Sequence, residues 1–494
     1  MSLAPNISEQ LHDIQGMMNS GYGWLKSSRF WLLTVADEHE DAARAWLADL
    51  AESRLMVSAR DVLGSNGKSI DEAVAIAFSF AGLARLGIKE TDRHPFPTPF
   101  RSGMGSELRE KLLRDEPRAQ WHWSDVGGAA GRQTVHVLVA QWYREGADSK
   151  MPVPNPRAFD RIIVESRPNS FCEEDGKTVL REPFGFRDGI SQPVIRGLRD
   201  TEEDATNQAK ADAGVFYEDR VIAPGEFIVG YRNEYDELTY SPNVQRWTDA
   251  RGRFTLNGSY LAVRQIQQNV EKFRSFEAAN EGVAEKLMGR QKNGLPLSWK
   301  PTPGKTISTS ALNAFRYQVE DANGFTCPLG AHIRRANPRD SLGVDVASGI
   351  KSSKLHRLLR RGRPYLEKGE LERVGLFFIA CNADLERQFE FIHQRWLRNF
   401  RFQDLFHEDD PIVGSPTKKH FTIPGLPSGD QVSLEAFTET KGGGYFFLPG
   451  IKALKFIVSH GARPIPNAGP GGASSAVPLA REGLRTATEE KDEK

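Results

Sequence analysis

Two stretches far apart in the chain repeat one layout, and that repeat restricts the fold more than any other feature. Ala75-Ile-Ala-Phe-Ser-Phe80 is a short apolar run that passes straight into Ala81-Gly-Leu-Ala-Arg-Leu-Gly87. Gly375-Leu-Phe-Phe-Ile-Ala380 leads in the same way into Asp384-Leu-Glu-Arg-Gln-Phe-Glu-Phe-Ile392. Each unit reads as an aromatic-containing strand, a small residue and a helix. A second pair accompanies them. Phe30-Trp-Leu-Leu-Thr-Val35 precedes a helical spacing through Ala42, Ala43, Ala45, Trp46, Leu47 and Leu50, and Ser259-Tyr-Leu-Ala-Val263 precedes one through Val270, Phe273 and Phe276. Apolar runs this short suit buried strands, and the spacing after them suits helices lying across those strands. Val135-His-Val-Leu-Val-Ala140 adds a further strand. Two strand–helix pairs in each half predict an α+β fold with antiparallel sheets, each covered on one face.

The remaining segments read as connections. Residues 1–28 are polar and Gly-containing and are expected to form an N-terminal arm over the surface. Residues 88–130 read as a long connection in which Pro95, Pro97 and Pro99 mark irregular backbone. Residues 200–220 concentrate Asp and Glu and read as a surface excursion, and the Pro-, Gly-, Ala- and Ser-rich tail over 463–494 is expected to be disordered. The halves then fall at 29–220 and 221–462.

Composition removes several function classes. Lys plus Arg equals Asp plus Glu, 65 each in 494 residues, whereas a dedicated nucleic-acid binder usually carries a basic excess. Cys172, Cys327 and Cys381 are too sparse for a disulfide framework, and without a Cys-x-x-Cys pair neither structural zinc nor covalently attached haem is expected. The first residues show no signal-peptide pattern and no apolar run is long enough to span a membrane, so the expected location is the cytoplasm.

Three stretches carry residue types suited to chemistry. Gly185-Phe-Arg-Asp-Gly-Ile-Ser-Gln-Pro193 sets Asp188 between glycines. That is an ordinary tight turn or a backbone that a flat ligand can approach closely. Cys327-Pro-Leu-Gly-Ala-His-Ile-Arg-Arg-Ala-Asn-Pro-Arg-Asp340 places His332 after two small residues, Gly330 and Ala331, and ahead of three arginines. A neutral imidazole can ligate iron, the small residues leave room for a flat ligand, and arginines can pair with its carboxylates. Leu355-His-Arg-Leu-Leu-Arg-Arg-Gly-Arg-Pro-Tyr365 is a basic helix end in which Arg360 follows two leucines. Nucleic acid, an acidic partner or propionates would each suit it, and the balanced charge disfavours the first.

In this order the three stretches resemble the dye-decolourising peroxidase family, the DyP-type haem peroxidases, in its larger fungal-like and bacterial subgroup. Further matches are Gly225-Glu-Phe-Ile-Val-Gly-Tyr231, Gly258-Ser-Tyr-Leu-Ala-Val-Arg-Gln265, Arg387-Gln-Phe-Glu-Phe391 and Gly443-Gly-Tyr-Phe-Phe-Leu-Pro449. The resemblance implies two ferredoxin-like halves with peripheral helices and a non-covalent b-type haem in the C-terminal half. It implies His332 as proximal iron ligand, Asp188 as distal acid–base residue, Arg360 as distal charge stabiliser, and Leu376 and Phe378 as pocket lining. The carboxylate partner of His332 falls at Asp410, with Glu390 and Asp409 as alternatives, and Arg334 and Arg335 are candidates for the propionates. Tyr365 and Trp396 match surface aromatics that pass electrons in some relatives, although a core role suits Trp396 equally.

The implied reaction reduces hydrogen peroxide and oxidises dyes, phenols and small aromatic reductants through compound I. Its chemistry needs these residue types: a carboxylate moves the peroxide proton and a fixed cation meets the charge on the departing oxygen. A haem carrier or iron-releasing protein on the same fold is the competing reading. No nucleic acid or membrane partner is expected, and a monomer and a dimer are equally compatible with the sequence.

Overall fold

Eight strands form the frame, four from each half. In the first half these are β1 (Ser27–Val35), β2 (Glu72–Phe78), β3 (Val137–Tyr143) and β4 (Phe159–Ser166). In the second they are β5 (Ser259–Gln268), β6 (Arg363–Glu367), β7 (Arg373–Asn382) and β8 (Thr438–Leu448). The structure, a computed structural model, describes residues 6–64, 69–89, 93, 95–115, 120–127, 132–174, 177–198, 216–239, 254–298, 311–368, 372–413, 419–425 and 431–460. The expectations for residues 200–215 and for the tail lie outside the described residues.

The first sheet runs β4-β1-β3-β2 and the second β6-β7-β5-β8. Both are antiparallel and both place their strands in the same ferredoxin-like order, with β1 equivalent to β5 as the sequence repeat has it. However, β2 is equivalent to β6 and β7 to β3, so the units at Ala75–Gly87 and Gly375–Ile392 do not occupy equivalent places. The sheets also join at both edges. Leu366 pairs with Glu165 where β6 meets β4, and Phe447 pairs with Phe78 where β8 meets β2. The eight strands therefore close into a ring that leaves no strand of the frame with an open edge. Pro364 sits in β6, whose pairing with β4 is only two residues long, a position that tolerates its missing N–H.

Closure changes the expected burial. Side chains alternate along β1: Trp31, Leu33 and Val35 enter the core beneath the helices, while Phe30 and Leu32 point into the ring. There Phe30 stacks on Phe377 of β7 with ring centroids 4.3 Å apart. Each sheet is thus covered on both faces and not on one, because the inner faces cover each other. The outer faces carry α1 (Glu40–Glu52), whose Leu47 and Leu50 are buried beside Leu454 and Ile457 of α2 (Ile451–His460).

The N-terminal segment is likewise no surface arm. Ile7, Leu11, Ile14, Met17, Met18, Tyr22 and Leu25 are buried in the core that holds Phe30 and Phe377. Arg361 and Arg363 fasten it, donating to the carbonyls of Met17 and Met18 and of Gly21, Tyr22 and Leu25.

One frame contact makes stability depend on pH. His136, immediately before β3, accepts the Val35 N–H at Nδ1 at 3.0 Å, which requires that nitrogen unprotonated. Burial, with Arg85 nearby, pushes the imidazole down to about 4. A histidine depressed in the fold contributes stability that is complete above its unfolded value near 6.5 and lost as pH falls toward 4. At about 1.4 kcal/mol per pH unit the ceiling is about 3 kcal/mol. Thermal denaturation between pH 7 and pH 4 is expected to show this loss, and His136→Gln, which keeps an acceptor without a charge, should flatten it.

Candidate active site

The segment around Asp188 is a tight loop held from both sides. It follows the hairpin of Phe171–Glu174 and Lys177–Arg181, and Arg187–Asp188 adds a short third strand. Gly185 and Gly189 have φ of +96° and +76°, in the region that glycine adopts without strain. Asp188 accepts Arg360 Nη1 at 3.0 Å and its own Gly189 N–H at 2.6 Å, both on Oδ1. The acceptor Oδ2 has no bond from the described residues. Gln192, from the same segment, accepts the Arg360 N–H at 3.1 Å and donates to the Arg360 carbonyl at 3.2 Å. One loop therefore supplies the carboxylate and also fixes the backbone of its arginine partner.

His332 begins the short helix His332–Ala336, and its Nδ1 lies 2.9 Å from Asp410 Oδ2. Asp410 is fully buried and also accepts the N–H groups of Ile412 and Val413. Burial opposes charge on both groups, but their mutual attraction outweighs it and holds the imidazole above, and the carboxyl below, its ordinary value. Of the three carboxylates considered from sequence, Asp410 is the one that meets His332. Glu390 instead pairs with Arg109 at 2.7 Å and accepts Tyr445 Oη, and Asp409 lies 3.8 Å from Arg398. The glycine before His332 has another cause than ligand access: a Cβ on Gly330 would lie 1.9 Å from Glu408 Oε1.

Asp188, Arg360 and His332 line one cavity holding about 1660 Å³ of atom-free space, mouth included. Its walls are largely apolar. Leu376 and Phe378 of β7 point into it, while the intervening Phe377 points into the ring. Phe389, Ile392, His393 and Leu397 come from the π-helical turns Glu386–Glu390 and Ile392–Leu397, a wide-turn geometry frequent at functional sites. A neighbouring space of about 1440 Å³ shares seven lining residues with it, Asp188, Arg360, Leu376 and Phe378 among them.

Two sequence assignments need correction. Arg334 and Arg335 do not face the cavity. Their guanidinium groups are fully buried, Arg334 on the carbonyls of Asp321, Ala322 and Cys327, and Arg335 on those of Gly330, Trp396, Asn399 and Glu408. They fasten the His332 helix to its surroundings. The arginines that do line the cavity, besides Arg360, include Arg290, Arg339 and Arg357. Arg357 has no carboxylate partner among the described residues. Burial and the nearby charges of Arg339, Arg220 and Arg360 push it down to about 9. Arginine stays protonated in proteins, so this wall favours an anionic group beside it. A flat ligand carrying carboxylates, with a metal that can take the cavity side of His332, fits these residues.

Tyr365 and Trp396 are not surface groups either. Tyr365 is 0% and Trp396 5% exposed; the first lies in the ring core, and the second packs against Phe391 and His356. Direct electron uptake from a bulky reductant at either ring is closed off by this burial.

Similarity to known proteins agrees with the fold. The family described as Dyp-type peroxidase, C-terminal, matches residues 226–408. A dye-decolorizing peroxidase of Mycetinis scorodonius is 27% identical over 91% of this chain and 88% of its own length. The multifunctional dye peroxidase of an Amycolatopsis species is 29% identical over 84% and 89%. Among solved structures, a DyP-type peroxidase of Anabaena superposes with a TM-score of 0.71 at 23% identity, covering 91% of this chain and 95% of that one. The chain carries a Dyp-type peroxidase C-terminal region and is similar to dye-decolorizing peroxidases over most of its length, which supports a peroxidase enzyme. No described helix is long and apolar enough to cross a membrane.

Proposed function

We propose that this protein binds haem b non-covalently through His332 and uses hydrogen peroxide to oxidise dyes, phenols and related small reductants. The observation that carries the proposal is the Asp188–Arg360 pair in the same cavity as the His332–Asp410 pair. Haem, when bound, supplies an iron that accepts oxidising equivalents from peroxide and passes them on singly.

The protein's own groups have separable tasks. Asp410 accepts the Nδ1 proton of His332, which fixes the tautomer, leaves Nε2 for the metal and makes the ring a stronger donor. Asp188, through Oδ2, takes a proton from one peroxide oxygen and returns it to the other, which leaves as water. Arg360 stabilises the charge developing on that departing oxygen from a fixed position. Leu376 and Phe378 keep large reductants away from these groups. Arg357 and Arg339 are the candidates for the ligand's carboxylates. Replacing Arg357 by leucine removes a charge-assisted bond and should speed haem loss to apomyoglobin roughly ten-fold, whereas Arg334→Leu should act on folding stability.

A haem carrier needs His332 and a pocket but not the Asp188–Arg360 pair, so the geometry favours catalysis. The deciding experiment is turnover of 2,6-dimethoxyphenol and of an anthraquinone dye by the haem-loaded protein, with and without hydrogen peroxide. Peroxide-dependent oxidation of both is expected, and a haem-bound protein that oxidises neither would be a carrier.

A further inference from the structure

Glu182 stands six residues before Asp188 and lines the same cavity, yet neither proton transfer nor charge stabilisation uses it. Its bonds are directed at the loop between them. Oε1 accepts the Phe186 N–H at 2.8 Å, and Oε2 accepts the Phe184 N–H at 2.9 Å. The main chain closes the same turn, Glu182 N–H donating to the Phe186 carbonyl at 3.0 Å and Gly185 N–H to the Glu182 carbonyl at 2.8 Å. From the frame, Gln268 at the end of β5 donates Nε2 to Oε2 at 2.7 Å. On the other side of the loop Arg181, held by Glu174 at 2.6 Å, donates to the carbonyls of Gly185 and Lys292. The carboxylate thus grips the loop's N–H groups, and a guanidinium grips its carbonyl.

We infer that Glu182 is a positioning residue for Asp188, its carboxylate fixing the loop that sets the acid–base oxygen in the cavity. The inference rests on the role proposed for Asp188. A neutral side chain would fill this place at less cost, since burial pushes the Glu182 carboxyl up to about 6 and the charge of Asp188 acts in the same direction. What a carboxylate adds is acceptor capacity: both oxygens accept, from three donors, whereas a glutamine would set an NH2 group against at least one of them. Gln268 ties this grip to the closed ring, so the loop takes its position from the frame.

The test is Glu182→Gln in the haem-loaded protein. The second-order rate with hydrogen peroxide should fall roughly 10- to 100-fold, the size expected when a catalytic group is misplaced by about an ångström. KM for the reductant and the haem absorption spectrum should stay as in the wild type. Hydrogen exchange at the amides of Phe184 and Phe186 should accelerate at least about ten-fold with β1 and β3 unchanged, which a general loss of stability would not give. Gln268→Leu, which removes one donor and leaves the carboxylate, should shift both quantities the same way by less, and it carries the test if Glu182→Gln does not fold. A wild-type peroxide rate in the folded variant, or faster amide exchange with no change in that rate, overturns the inference. Failure of the role proposed for Asp188 looks different: Asp188→Asn would itself keep the wild-type peroxide rate. A slow Asp188→Asn beside a fast Glu182→Gln removes the positioning role alone.

Discussion

Asp188→Asn is expected to slow the reaction of the haem-loaded protein with hydrogen peroxide by roughly 10²- to 10⁴-fold, the usual contribution of a placed acid–base group. Asparagine can keep the bond from Arg360 through its amide oxygen, and Gln192 still holds the Arg360 backbone, so the pocket should keep its shape. What is lost is a group that can accept a proton at Oδ2 and give it back. Arg360→Leu tests the other half. It leaves the Asp188 carboxylate without its cation and should cost roughly 10²- to 10³-fold, the range found when one preorganised charge stabiliser is removed. Stopped-flow mixing with peroxide over a concentration series measures both. If the arginine variant falls further than the aspartate variant, charge stabilisation contributes more to the rate than proton transfer does.

His332→Ala is expected to act twice. The cavity loses the imidazole whose Nδ1 is held by Asp410, so haem should no longer be held by that histidine. Asp410, fully buried, also loses the group that compensates its charge. Stranding one member of a buried pair costs about 3 to 5 kcal/mol, so the cofactor-free variant should denature at lower temperature than the cofactor-free wild type. Asp410→Asn separates the effects: it removes the charge but keeps an acceptor for Nδ1. It should lower haem affinity by about 10- to 100-fold, as loss of an outer partner of a metal ligand typically does, with a smaller change in denaturation temperature than His332→Ala.

Much of this geometry was legible in the sequence, for identifiable reasons. Asp188, His332 and Arg360 sit in short motifs whose order along the chain is itself informative, and the structure gathers all three in one cavity. The strand–helix character of both halves was legible because β1, β2, β5 and β7 are apolar runs followed by helical spacing, although β2 and β7 do not hold equivalent places in their sheets. The strands β4, β6 and β8 were not foreseen, since Phe159–Ser166 mixes charged residues with apolar ones, β6 contains a proline and β8 runs through Gly442, Gly443 and Gly444. The partner of His332 depended on a fold-back that brings Asp410 N–H onto the Leu397 carbonyl, and no local pattern separates Asp410 from its neighbour Asp409.

The arginines were misassigned for a geometric reason. In a five-residue helix, Arg334 and Arg335 point away from the face that presents His332, and sequence proximity to a ligating residue says nothing of direction. Arg339 and Arg357 reach the cavity from a turn and a loop. Ring closure hid the rest. The N-terminal segment reads as a polar arm until the ring offers its apolar residues a core, and Tyr365 reads as accessible until β6 is seen to face inward. Gln192 and Glu182 flank Asp188 closely in the chain, but their roles lie in bonds to main-chain groups that no residue pattern displays.

The central claim, that His332 holds haem in this cavity, is tested most directly by titrating the haem-free protein with haemin and following absorbance and low-temperature electron paramagnetic resonance. One equivalent should bind with saturation, giving a histidine-ligated ferric spectrum that Asp188→Asn keeps and His332→Ala loses. A wild-type protein that takes up no haemin, or the same ligated spectrum in His332→Ala, would contradict the account.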